Sequence, residues 1–152
     1  MRKIFILIIL SLFFISPCFA NEKQNYFVKN IYPHYSNEEK AQFWSGVAQE
    51  YAKQCPLILD SYTTLIGVHQ YSTSQSGLVY VFSVNAKKEN IDKNKFKNFF
   101  EEKKRKLKNN LCTSPDMKFF RKFKGVTLRY RYFDKDNIHL KDVDIKTGSC
   151  SK

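Results

Sequence analysis

Residues 126–133 read Val-Thr-Leu-Arg-Tyr-Arg-Tyr-Phe. Large apolar side chains recur there at every second position, a period that suits a half-buried β-strand and no helix. Val126, Leu128, Tyr130 and Tyr132 fall on one side, with Thr127, Arg129, Arg131 and Phe133 on the other. Asp134-Lys135-Asp136-Asn137 supplies turn chemistry, and residues 138–145 return as a strand. The C-terminal part of the chain is therefore expected to be a β-hairpin. Residues 62–71 and 78–85 form a second pair of such runs around the polar turn at 72–77, which ends in Gly77. In the latter run Leu78, Tyr80, Phe82 and Val84 alternate with Val79, Val81 and Ser83.

Two helices complete the pattern. Ser36-Asn37-Glu38-Glu39 is a capping box, in which the Ser36 hydroxyl and the Glu39 carboxylate each satisfy the other residue's amide. Trp44, Val47, Ala48, Tyr51 and Cys55 then share one helical face, and Pro56 stops the run. Residues 93–111 are helical again behind Asp92. Phe96, Phe99, Phe100, Leu107 and Leu111 lie within about 120° on the helical wheel. Lys103 interrupts that stripe. Either its stem packs while the ammonium reaches the margin, or it closes a pocket under the helix together with Tyr80 and Tyr130. A short helix over 116–123 follows, ended by Lys124-Gly125. Helices on one face of a four-stranded antiparallel sheet made of two hairpins give an α+β fold. Residues 36–152 are expected to form this single domain, and residues 21–35, without clear periodicity, an extended N-terminal arm.

The first twenty residues, MRKIFILIILSLFFISPCFA, carry Arg2 and Lys3, an apolar core over 4–15, and small residues before a cleavage point at Ala20. This is the layout of a secretory signal, and the core is shorter than the roughly 20 residues of a spanning helix. Cleavage places the protein in the periplasm or outside the cell, where thiols oxidise. Three cysteines then remain: Cys55, Cys112 and Cys150. Their spacing fits no zinc pattern. In the second hairpin the end of the last strand returns close to Gly125, a few residues from Cys112. A Cys112–Cys150 disulfide is therefore expected, with Cys55 buried or free.

Without the leader the chain has 24 Lys and Arg against 14 Asp and Glu, and residues 87–124 hold fourteen of the former and five of the latter. Two readings of this basic segment are open. It could attract phosphates, anionic lipid or an acidic protein, or it could reflect composition bias, since Lys outnumbers Arg 21 to 5. Candidate binding residues are Lys97, Lys104, Arg105 and Lys108 on the long helix and Arg129 and Arg131 on the strand. Nucleic acid is not expected as a partner, because alternation separates the tyrosines of 127–133 from its arginines, leaving no stacking platform.

No catalytic constellation emerges. His34, His69 and His139 are scattered, and none can be placed beside a nucleophile. Asp134, Asp136, Asp142 and Asp144 do not continue as a calcium loop, which would need an oxygen ligand and a glycine where Ile138 and His139 stand. The five glycines make no phosphate-binding loop. No cofactor or metal is expected.

The segments CPLILDSYTTL, LVYVFSV, NLCTSP and KGVTLRYRYFDKDN, with the near-terminal Cys150, resemble small exported bacterial proteins of uncharacterised function. The resemblance implies a cystatin-like or NTF2-like α+β architecture and an exported location, and it supplies no site residues. The expected function is thus a non-enzymatic binding or accessory module of the bacterial envelope, of inhibitor, immunity or assembly-factor type, docking on an acidic envelope or secreted protein. Peripheral binding of anionic lipid or lipopolysaccharide through 87–124 is the alternative, and a small-ligand pocket is a third.

Overall fold

The structure, a computed structural model, describes residues 20–150 except 73, 74 and 91. The leader over 1–19 and its cleavage lie outside the described residues. In chain order the elements are α1 (Ala20–Tyr26), α2 (Asn37–Ala52), β1 (Leu57–Ile58), β2 (Thr63–Gln70), β3 (Gly77–Val84), α3 (Lys93–Thr113), α4 (Lys118–Arg121), β4 (Thr127–Phe133) and β5 (His139–Lys146). Both long helices start where their caps dictate. The Glu39 amide donates to Ser36 Oγ at 3.2 Å, and the Ser36 amide donates to Glu39 Oε2 at 2.9 Å. Asp92 accepts from the amides of Asn94 and Lys95. α2 ends at Ala52, so Cys55 lies beyond it.

The α+β class holds, but the sheet is five-stranded and mixed, not four-stranded and antiparallel. Its order is β1-β2-β3-β4-β5, and β3 and β4 run parallel while every other neighbouring pair is antiparallel. Each hairpin closes through a local turn. The pairing between hairpins is set by the long connection over 85–126, in which α3 and α4 bring the chain back to start β4 beside the start of β3. A parallel neighbour needs such a crossover. The extra strand, β1, has only two residues and is too short to show an alternating pattern.

Parallel pairing begins at Gly77 opposite Thr127. Gly77 has φ +147°, and a Cβ on it would lie 1.9 Å from the Thr127 carbonyl oxygen. Only glycine allows the two backbones this close.

The core lies on one face of the sheet. In-register partners Leu78 and Leu128, Tyr80 and Tyr130, and Phe82 and Tyr132 stack across β3 and β4. α2 packs on this face through Tyr51, whose ring lies 6.3 Å from Tyr80, and α3 through Phe100, 5.2 Å from Tyr132. Residues 21–35 are not an extended arm. α1 passes into a wide π-helical turn at Phe27–Ile31 and a 3₁₀ turn at Tyr32–His34. Phe27 and Tyr32 are buried, in contact with Phe43 of α2. The wide turn and Pro33 blur the periodicity, yet Phe27, Val28, Ile31, Tyr32 and Tyr35 still fall on one side. Trp44 Nε1–H donates to the Tyr32 hydroxyl at 2.8 Å, and that hydroxyl lies 2.7 Å from Ser76 Oγ. A buried polar chain thus ties α2 through the N-terminal segment to the β2–β3 turn.

Cys112 and Cys150 are joined by a disulfide, with Cα atoms 5.4 Å apart. It closes a loop spanning 38 residues and is worth about 2–4 kcal/mol. Cys55 is a free, half-buried thiol, and burial pushes its pKa up.

Candidate functional site

The face of the sheet opposite the core carries Arg129 and Arg131 on β4, with Asp144 and Asp142 in register on β5. Arg129 donates from Nε and Nη2 to the two carboxylate oxygens of Asp144, both at 2.7 Å. Arg131 binds Asp142 the same way at 3.0 and 2.9 Å, and His139 Nε2 sits 2.9 Å from Asp142 Oδ1. Hydrogen bonding by Arg131 holds the Asp142 carboxyl down at about 2. Hydrogen bonding to Asp144 raises the Arg129 pKa. Arg129 and Arg131 are therefore not spare cations awaiting an acidic partner. Their charge is spent across the hairpin, the bidentate cross-strand arrangement that alternation on both strands makes possible.

Tyr80 and Tyr130 pair with each other, and Lys103 with Phe99. The two tyrosine rings stack 5.3 Å apart inside the core, where burial pushes both hydroxyl pKa values up, Tyr80's most strongly. Neither ionises at neutral pH. Lys103 does not join them: its ammonium lies 5.3 Å from the centre of the Phe99 ring on the outer margin of α3. The carboxylates at the β4–β5 turn are also structural. Asp134, fully buried, accepts from the amides of Lys88, Asp136 and Ile138 and so docks the turn on the segment after β3. Among the described residues no three His, Cys, Asp or Glu side chains gather as a metal site.

The margin of α3 stays open. A groove of about 260 Å³ runs between Val84, Phe96, Phe99, Phe100 and Leu140, with Lys95 at its edge. Its wall is almost wholly carbon. Phe99 is 42% exposed although it belongs to the apolar stripe of its helix. At about 100° per residue, Lys95 and Lys103 lie within about 40° of Phe99. Lys97, Lys104, Arg105 and Lys108 lie about 120–180° away and are exposed on the back of the helix. Lys95 therefore joins the site, though charge counting alone did not single it out. Its signal was available in the spacing Lys95–Phe99–Lys103, which puts one aromatic ring between two ammonium groups on one helical line.

A second open surface adjoins the groove. Leu57, Ile58, Leu59 and Tyr62 are all exposed on the β1 edge and the turn after it. The Asn85 amide donates to the Tyr62 carbonyl at 2.7 Å, which fixes this turn beside Val84. No helix among the described residues is long and apolar enough to cross a membrane.

No curated protein matches this sequence. Among solved structures, the chain is similar to a protein of Pseudomonas aeruginosa described as a candidate secreted protein, with a TM-score of 0.59 and 16% identity. That match covers 77% of this chain and 98% of the other. It is also similar to the pilotin EpsS of the Vibrio vulnificus type 2 secretion system, with a TM-score of 0.56 and 11% identity over 76% of this chain and 96% of the other. At these identities the likeness is one of fold. Residues 38–141, from the first turn of α2 into β5, match the family described as Domain of unknown function (DUF8479), and the chain belongs to that family.

Proposed function

We propose that this chain is an exported, non-enzymatic accessory protein of the bacterial envelope that holds a segment of another protein in the groove beside α3. The observation that carries this reading is the carbon-lined groove at Phe96, Phe99, Phe100, Val84 and Leu140, bordered by Lys95 and Lys103. Such a site suits a segment that inserts one or two apolar side chains and flanks them with Asp or Glu. Lys97, Lys104, Arg105 and Lys108, on the back of the helix, add long-range attraction for an acidic partner, which salt weakens. The buried hydroxyls of Tyr80 and Tyr130 and the paired arginines leave the conspicuous polar groups engaged in structure, which favours binding over catalysis. The fold likeness to a secretion-system pilotin and to a candidate secreted protein supports an envelope setting.

The test is crosslinking in living cells, with capture of the native protein beside Phe99→Asp and beside Lys104→Glu/Arg105→Glu/Lys108→Glu. A crosslink is expected to map to an acidic, apolar-centred segment of one envelope protein. Phe99→Asp should abolish it, and the triple reversal should only weaken it. Recovery of the same crosslink with Phe99→Asp would overturn the groove as the site.

A further inference from the structure

The 57–62 segment calls for a different occupant. Leu57 and Ile58 of β1 and Leu59 just after it are consecutive and all exposed, Ile58 by 76%. They stand exposed at the sheet edge. Tyr62, 66% exposed, stands at the end of the same turn. The one carboxylate of the segment, Asp60, is turned into it and accepts from the amides of Tyr62 and Thr63, both at 2.8 Å. Those amides, with Lys103 adding to them, hold its carboxyl below the usual range. Asp60 therefore keeps its negative charge at neutral pH, with Lys103 on the margin of α3 within electrostatic reach of it.

We propose that the ledge of Leu57, Ile58, Leu59 and Tyr62 seats the protein on an anionic membrane surface, with Lys103 and Lys95 against the lipid phosphates. Two features favour a bilayer over a protein partner. An exposed set of aliphatic side chains needs no shape-matched surface when it enters the acyl boundary. A tyrosine at the rim suits the headgroup level, where an amphipathic ring is at home, and lysines beside it gain from anionic headgroups. A natural sheet edge is ordinarily blunted by charge or covered. Here the outward strand is apolar and uncovered among the described residues, and Lys103 on the helix is within electrostatic reach of the same segment.

The ligand and the apolar residues differ from those of the groove, and only Lys95 and Lys103 are shared, so Phe99→Asp and Ile58→Asp/Leu59→Asp let the two fail separately. The protein recovered after export would be sedimented with phosphatidylcholine vesicles and with vesicles carrying one quarter phosphatidylglycerol. Native protein is expected to partition at least about tenfold more onto the anionic vesicles, an advantage that 0.5 M salt should reduce. Ile58→Asp/Leu59→Asp should lose the partitioning on both, and Lys95→Glu/Lys103→Glu should lose only the anionic preference. Ile58, Leu59 and Lys95 are exposed and Lys103 is half-buried, and thermal unfolding midpoints at the native value confirm that each variant is folded. Native protein that remains in the supernatant with anionic vesicles would overturn the proposal. So would an Ile58→Asp/Leu59→Asp variant that sediments like the native chain. Crosslinks from 57–62 to a protein without any vesicle binding would reassign the ledge to a protein partner.

Discussion

The outer face of the sheet and the margin of α3 both looked basic and aromatic, and the structure separates them completely. On the sheet, each arginine faces a carboxylate two hydrogen bonds away. The charges there stabilise the hairpin and cancel one another. On α3, Lys95 and Lys103 stand around an exposed phenylalanine. The same residue types are structural in one place and available in the other, and what decides is whether a neighbouring element offers the complementary group in register. A count of charges along the chain cannot make that distinction. A count of charges across paired strands can.

The arginine pairs depend on the register of β4 against β5, and the seating of that hairpin on β3 depends on Gly77. The largest effect is therefore expected from Gly77→Ala. A Cβ 1.9 Å from the Thr127 oxygen forces the first parallel pair apart, with a positive φ adding strain. The cost should be at least about 2 kcal/mol in urea unfolding. Unchanged stability would mean that β3 and β4 do not approach as closely as the ladder requires.

Much of this architecture is legible from residues alone, for a physical reason in each case. Caps at Ser36 and Asp92, the alternation of 126–133 and the turn at 134–137 are local signals, each read within a few residues. The Cys112–Cys150 bridge could be placed because a hairpin returns its end to its start. The parallel pairing of β3 and β4 could not, since it is fixed by the path of α3 and α4 and not by either strand's own pattern. The N-terminal segment was misjudged because its aromatic residues are held by contacts with Phe43, Trp44 and Phe123, far along the chain, across a turn of irregular width. For the site, the apolar stripe of α3 was visible, but which part of it remains uncovered is a property of packing. Asp142 and Asp144 stand two residues apart in the run 138–145 expected to be a strand, so alternation puts them on one side. Their pairing with Arg131 and Arg129 followed only once the hairpin register was known.

A smaller effect should come from the sheet face itself. Asp142 titrates at about 2 in the folded protein, below its ordinary value near 4 in an unfolded chain. The unfolded state thus binds the proton more readily. The carboxylate's contribution is fully present above about pH 4 and is lost as pH falls through about 2. Because the group is partly solvated, about 1 kcal/mol is a reasonable size after screening. Asp142→Asn should be less stable than the native chain by roughly that amount at pH 7, and the gap should close near pH 2. Urea unfolding of both proteins at the two pH values measures it. A gap that does not narrow with acid would mean that the Arg131 pair is not what stabilises the hairpin face.

A similarly small effect on stability is the one most informative about the groove. Phe99 is an aromatic residue on the apolar stripe of an amphipathic helix, and such a residue usually costs about 3–5 kcal/mol when truncated in a core. Here the ring is 42% exposed, in contact with Phe100 at its edge and with the Lys103 ammonium above it. Phe99→Ser removes only the covered part of the ring and leaves Phe96, Phe100, Leu107 and Leu111 to hold the helix, so the change should cost about 1 kcal/mol. Phe100→Ser, one residue along and buried against Tyr132, should cost several times more. Equal losses at the two positions would place Phe99 in the core and close the groove. A wide gap between them leaves an aromatic ring that adds little to the stability of the fold, standing between two lysines on the surface where a partner segment would bind.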